Sequence, residues 1–211
     1  LLRIKGIGVN FNDVWARRGI PGMKFIFPHI SGSDASGIVV AIGDCVRHIK
    51  IGDEVVVSGA FSCLSCPTCI SGNGLFCEDF KIWGFQTGPN LGAQAEFANV
   101  PAANVLPKPK NISWEEAATL PLVLSTAWRM LVVRARIKPG DIVLVWGGGG
   151  GLGTMAIQIC KLFGAQSIAV AGSDEKLAYA QSLGADFVIC RNTQRVVREV
   201  MKITKNCGAS E

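Results

Sequence analysis

Long apolar runs are missing from these 211 residues, and so are several other features that would have widened the reading. No stretch approaches the about 20 consecutive apolar residues that cross a bilayer, and the first residues lack the charged-then-apolar build of a secretion signal. No membrane partner is expected, and the cytoplasm is the default setting. Like charges never run five in a row. The 21 Lys plus Arg and 16 Asp plus Glu, net +5, are spread as an ordinary solvated surface, so no nucleic acid partner is expected either. Internal repeats and low-complexity segments are absent, and a hydrophobic fraction of 49% excludes a disordered chain. Histidine is scarce. His29 and His48 stand alone and are read as surface or packing residues.

Cysteine, by contrast, is concentrated. CLSCPTCISGNGLFC, residues 63–77, carries Cys63, Cys66, Cys69 and Cys77 as C-x2-C-x2-C-x7-C. Four thiolates at this spacing can close a tetrahedral zinc site, leaving no coordination position for substrate. Such an ion folds its loop and does no chemistry, because its binding energy orders a segment with little apolar content of its own. Two disulfides or free thiols are the rival readings, poorer ones in a reducing compartment. A nucleic-acid-binding zinc ribbon wants two CxxC knuckles about 15–20 residues apart, and one compact cluster is present. Cys45, Cys160, Cys190 and Cys207 are expected to remain scattered thiols.

Residues 1 to about 105 read as short strands cut by Gly, Asp and Pro: LLRIKGIGV, ASGIVVAIG, DEVVV and EFANV, the pattern of a barrel-like β unit. After VLPKPKNIS the period changes, with Ser113 as an N-cap and Glu115 and Glu116 in the first turn of a helical region running toward LSTAWRML. From Asp141 the order is strand (DIVLVW), glycine run, helix (LGTMAIQICKLF), strand (SIAVAG), helix (DEKLAYAQSL), strand (FVIC), then a last helix, QRVVREVMKIT. Gly164 and Gly184 sit where helices end on a left-handed residue, and Ser173 where one begins. Such βαβαβ alternation predicts parallel strands with right-handed crossovers, half of a doubly wound sheet. The fold class is therefore α/β, with a β-rich domain over 1–123 and a partial dinucleotide-binding domain over 124–211. A start inside a strand pattern without Met and an end at CGASE lead us to expect a segment of a longer protein.

WGGGGGLG, residues 146–153, follows a strand and opens a helix, the context a dinucleotide fingerprint requires. Gly148, Gly150 and Gly153 satisfy GxGxxG; Gly147, Gly150 and Gly153 fit a variant one residue longer. Residues without Cβ let the backbone approach a pyrophosphate, which meets N–H groups of Gly151, Leu152 and Gly153 at the positive end of the helix. Where NAD sites carry Asp or Glu at the end of the second strand, this chain has Ala171, Gly172 and Ser173, with Lys176 behind and Arg191 in the next loop. Ser173 can hydrogen-bond a 2′-phosphate, and Lys176 and Arg191 can neutralise it, so the expected cofactor is NADP(H). The plainer reading has Ser173 merely capping a helix and Lys176 facing water.

The β-rich first half, the four-cysteine loop and the glycine fingerprint together resemble the medium-chain dehydrogenase/reductase superfamily, over nearly the whole chain. GDEVVV and the cysteine loop look like its GroES-like catalytic domain and structural zinc lobe. NFNDVWARRG, GSDASGIVVAIG, IWGFQT, LPKPKNISWEEAA and GDIVLVWGGGGGLG look most like its crotonyl-CoA carboxylase/reductase branch and enoyl reductase neighbours. The resemblance implies that a catalytic zinc would take ligands at positions that here hold Asn10, Ser33 and Leu122, none of them suited to it. It also implies that Asn10 orients substrate or cofactor and that Thr126 packs by the nicotinamide, although Asn10 at a strand end also fits a purely local role. Trp15 stands where some relatives have Tyr. Gln86 stands where the carboxylating enzymes have Glu, so reduction without carboxylation is expected. Family habit implies a homodimer or homotetramer.

A C=C conjugated to a carbonyl accepts hydride at its β carbon without a Lewis acid, so the expected activity is NADPH-dependent reduction of enoyl thioesters, enones or quinones, with one structural zinc. A zinc-containing alcohol dehydrogenase is the first rival, and a non-enzymatic NADPH-binding protein the second.

Overall fold

The computed structural model describes residues 1–86 and 91–210. Thr87, the last residue of the IWGFQT stretch, lies outside the described residues, as does the terminal Glu211. The chain divides into two compact units, Leu1–Leu122 and Val123–Glu211.

In the first unit β1 (Leu2–Gly8), α1 (Phe11–Arg18), β2 (Asp34–Val39), β3 (Glu54–Val57), β4 (Ala60–Phe61), α2 (Pro67–Ile70), β5 (Lys81–Ile82), β6 (Phe97–Ala98), β7 (Val105–Pro107) and α3 (Trp114–Ala118) follow in chain order. Five strands form one antiparallel sheet, β6-β1-β2-β3-β7, and β4 and β5 form a separate pair. Leu2, Ala35, Val39, Val55, Val57 and Trp83 close its core. Ser113 caps α3 in a reciprocal capping box: its Oγ accepts from Glu116 N–H and its own N–H donates to the Glu116 carboxylate.

Helices α1 and α2 depart from the all-strand expectation for residues 1 to about 105, and α1 is the longer of the two. Residues 11–18 form α1, whose first turn is fixed by Asn10 N–H donating to Asp13 Oδ2 at 2.8 Å and which ends at Gly19, φ +81°. Only Asp13 and Ala16 of its eight residues are buried, so no apolar period marked it.

In the second unit the order is α4 (Pro121–Trp128, beginning just before the division), a π-helical segment Arg129–Ala135, β8 (Ile142–Trp146), α5 (Gly151–Leu162), β9 (Gln166–Ala171), α6 (Asp174–Ser182), β10 (Phe187–Cys190) and α7 (Val196–Ile203). The three strands are parallel in the order β10-β9-β8, as the alternation required. Gly164 (φ +68°) and Gly184 (φ +103°) stop α5 and α6 in the left-handed region. Ile157, Cys160, Val143, Ala169 and Ala180 pack α5 and α6 on the sheet.

Candidate functional site

The cysteine lobe is a preformed cage. Its four Sγ atoms lie within 4.8 Å of one another. Cys63 and Cys69 are separated by 3.8 Å and Cys66 and Cys77 by 3.9 Å. A tetrahedron with zinc–sulfur bonds of about 2.3 Å has edges of about 3.8 Å, whereas a disulfide needs about 2.05 Å, so the arrangement fits a four-coordinate zinc ion. The backbone supports it: Cys66 N–H donates to Cys63 Sγ at 3.3 Å, Cys69 N–H to Cys66 Sγ at 3.4 Å, and Cys63 N–H to Cys77 Sγ at 3.5 Å. N–H groups of Ser65 and Cys66 pull the Cys63 thiol down to about 6, toward the thiolate a metal takes. Neither α2 nor the following turn Gly74–Phe76 buries a residue. The lobe has almost no core, so an ion is what would hold it. Among the described residues this is the one cluster of three or more His, Cys, Asp or Glu side chains arranged for a metal.

The Asn10 region is built differently. Asp34 opens β2 and Ser33 precedes it, and both are fully buried, at 1% and 0% exposure. Ser33 Oγ donates to Trp83 O at 2.7 Å and accepts from Asn12 Nδ2 at 2.7 Å, so its hydroxyl is committed. Asn10 Nδ2 donates to Asp34 Oδ2 at 2.7 Å, and Leu122 N–H donates to Asp34 Oδ1 at 2.8 Å. Asp13, also buried, accepts from Asn10 N–H with one oxygen and from Gly32 N–H, at 2.9 Å, with the other. Burial, only partly offset by the donors from Asn10 and Leu122, raises Asp34 from 3.8 to about 6, and the Asp13 charge adds to the rise.

Of Asn10, Ser33 and Leu122, read from sequence as a set, Asn10 and Leu122 thus converge on the Asp34 carboxyl, while Ser33, the residue before it, bonds Trp83 and Asn12 instead. Asp13, Asp34 and Asn12 were not singled out from sequence. The Asn10…Asp13 spacing of a capped helix was the available signal for Asp13; nothing in the chain's linear order announced that Asp34 would sit beneath Asn10.

In the second unit the glycine turn joins β8 to α5. Gly147 has φ +79°. A Cβ on Gly153 would lie 2.4 Å from Gly147 O, and one on Gly148 would lie 2.7 Å from Ala169 Cβ, so both glycines are needed to pack turn, helix and strand. Gly150 and Gly151 have no such crowding: a Cβ there would meet nothing nearer than 3.4 Å and 3.3 Å. The ladder of α5 begins with Thr154 N–H donating to Gly150 O, so the N–H groups of Gly151, Leu152 and Gly153 precede it. That fits a pyrophosphate.

At the end of β9, the Lys176 stem crosses Gly149, and the Arg191 guanidinium covers Gly172, 3.2–3.5 Å from where a Cβ would stand. Neither cation enters an ion pair among the described residues. Ser173 precedes α6 and makes no side-chain cap bond. Asp174 and Glu175 are exposed in the first turn of α6, where they complement its dipole. The residues present therefore fit a phosphorylated ribose. Thr126 is exposed on α4.

Residues 1–110 match the family model of the alcohol dehydrogenase GroES-like domain, and residues 151–210 that of the zinc-binding dehydrogenases. The chain is 40% identical over 210 residues to a crotonyl-CoA carboxylase/reductase of Cereibacter sphaeroides, covering 96% of this chain and 48% of that protein. A solved NAD-dependent alcohol dehydrogenase superposes with a TM-score of 0.92 at 43% identity, covering 99% of this chain and 60% of that one. A variant of the crotonyl-CoA carboxylase/reductase AntE in complex with NADP gives 0.81 at 35%, covering 96% and 54%. The chain spans about half the length of the curated relatives it matches.

Proposed function

The chain belongs to the medium-chain dehydrogenase/reductase family, whose GroES-like domain spans its first half, and from that membership we propose an NADPH-dependent reductase of activated alkenes or quinones. The substrates in this reading are enoyl thioesters, enones or quinones. NADPH, when bound, supplies the hydride, which an alkene conjugated to a carbonyl accepts at its β carbon.

The carrying observation is the network at Asn10. The positions that would ligate a catalytic zinc offer a carboxamide already given to Asp34, a hydroxyl already shared between Trp83 and Asn12, and the hydrocarbon side chain of Leu122. Such a site suits an acceptor that needs no Lewis acid. Gly147, Gly150, Gly151, Leu152 and Gly153 would hold the pyrophosphate, Ser173, Lys176 and Arg191 the 2′-phosphate, and Thr126 would pack by the nicotinamide. Asn10 would face the substrate carbonyl, where an enolate oxygen needs hydrogen-bond donors. Cys63, Cys66, Cys69 and Cys77 would hold one zinc as a clip. A small-molecule substrate, a homo-oligomer and a cytoplasmic setting complete the reading.

The similarity to an NAD-dependent alcohol dehydrogenase favours a second reading, alcohol or aldehyde oxidoreduction. Steady-state oxidation of NADPH and NADH with crotonyl thioester, quinone and aldehyde, alongside a zinc count, separates the two. The reductase reading expects NADPH consumption with the alkene or quinone and one zinc per chain; aldehyde turnover with two zincs per chain would replace it.

A further inference from the structure

The loop that follows β10 carries Arg191, and its backbone explains how that cation is held. Thr193 N–H and Gln194 N–H both donate to Cys190 O, at 3.2 and 2.8 Å, and Cys190 N–H donates to Gln194 Oε1 at 2.8 Å, so residues 190–194 close a turn on themselves. Arg191 N–H donates to Ala171 O at 3.0 Å, continuing the parallel ladder of β9 and β10 by one bond. Beyond the ladder, Asn192 Nδ2 donates to Gly172 O at 2.7 Å. The first of these ties needs only backbone. The second needs a short side chain with an N–H donor at position 192.

The Arg191 side chain reaches back to the same glycine. Its Nη2, Nε and Cζ stand 3.2, 3.3 and 3.5 Å from where a Gly172 Cβ would be, so the guanidinium takes the space that glycine leaves open. Asn192 and Arg191 thus act on one residue, Asn192 on its carbonyl and Arg191 over its Cα. An arginine side chain has many rotamers, and confining it costs entropy that a bound anion must offset. A loop fixed to Gly172 sets the root of that side chain and its seat relative to each other before any anion arrives.

We propose that Asn192 is a positioning residue for NADPH: its bond to Gly172 O locks the loop after β10 against the end of β9 and so keeps the Arg191 guanidinium over Gly172, where it meets the 2′-phosphate. This rests on the reading that Ser173, Lys176 and Arg191 hold that phosphate. Asn192 gives its amide to protein and acts on the cofactor through Arg191. An Asn that served only as a turn former would support both nucleotides alike.

The test is a double-substitution cycle on the full-length protein, read by fluorescence titration with NADPH and separately with NADH, with Tm recorded for each variant. Asn192→Ala should raise the Kd for NADPH about fivefold, the worth of one hydrogen bond, and leave that for NADH within about twofold. In an Arg191→Ala background the same substitution should change neither. Asn192→Asp keeps the shape and the turn preference of Asn but cannot donate when ionised, and should show an NADPH-specific loss at least as large. Equal losses for both nucleotides, or the same NADPH loss with Arg191 already removed, would overturn the proposal. Wild-type protein that binds NADPH no more tightly than NADH would overturn it as well, through the cofactor reading, and that failure shows before any residue is changed.

Discussion

The cysteine lobe and the Asn10 network are both polar clusters in the first unit, yet they use their lone pairs in opposite ways. In the lobe, four sulfurs lie within 4.8 Å of one another with weak N–H donors from their own loop. At Asn10, both oxygens of Asp13 and both of Asp34 accept a strong hydrogen bond, and Ser33 is saturated from both sides. The lobe leaves its capacity for an ion. The network has spent its own on holding side chains in place. The glycine turn resembles the lobe in this respect: the N–H groups of Gly151, Leu152 and Gly153 precede the helical ladder, and Lys176 and Arg191 form no ion pair among the described residues.

The contrast can be broken most forcefully at the lobe. Cys66→Ser should abolish zinc retention, taking the metal count by elemental analysis from one per chain toward zero and lowering Tm by about 10 °C, since structural zinc supplies several kcal/mol that the lobe cannot replace. An unchanged Tm would show that the lobe folds on its own contacts.

Gly153→Ala should cost about 3 kcal/mol in urea unfolding, because its Cβ would fall 2.4 Å from Gly147 O, a backbone atom, so the turn itself would have to move. A near-neutral result would mean that the turn is looser than its geometry.

The next test concerns what a saturated but cation-free carboxyl costs. Asp34 protonates near 3.8 when unfolded and near 6 when folded, so the native state binds the extra proton between those values. Its raised pKa therefore favours folding in acid: the penalty is absent below about 3.8 and complete above about 6. The stability difference between wild type and Asp34→Asn should fall by about 3 kcal/mol over that window, measured by urea titrations at stepped pH. A difference that does not change with pH would show that the donors from Asn10 and Leu122 offset burial.

Smallest are the effects at the phosphate end. Lys176→Ala and Arg191→Ala should each weaken NADPH about tenfold while NADH changes little, the loss of one charge-assisted hydrogen bond, readable by fluorescence titration. Equal losses for both nucleotides would assign the two cations to the pyrophosphate or to surface charge.

How much of this was legible depends on how each site is strung along the chain. The cage spans 15 consecutive residues, so spacing alone specified its four ligands. The glycine turn is likewise continuous, and the capping residue Ser113 with the stop glycines Gly164 and Gly184 marked helix ends through purely local backbone chemistry. α1 escaped notice because its burial is too slight to leave an apolar period. Ser173, expected as a cap, stands at the right place without a cap bond, which leaves its hydroxyl for other use.

The sequence by itself determined the α/β architecture, the parallel order of the second unit, the four-thiol cage and the glycine turn, because short-range sterics, hydrophobic period and ligand spacing act between near neighbours. Only the tertiary structure decided that Asp34 lies under Asn10 and that Ser33 is consumed by Trp83 and Asn12. Those contacts join residues 21 to 88 positions apart. They exist because β2 pairs with β1 and carries a buried carboxyl to the start of α1, where burial itself changes the acid's chemistry.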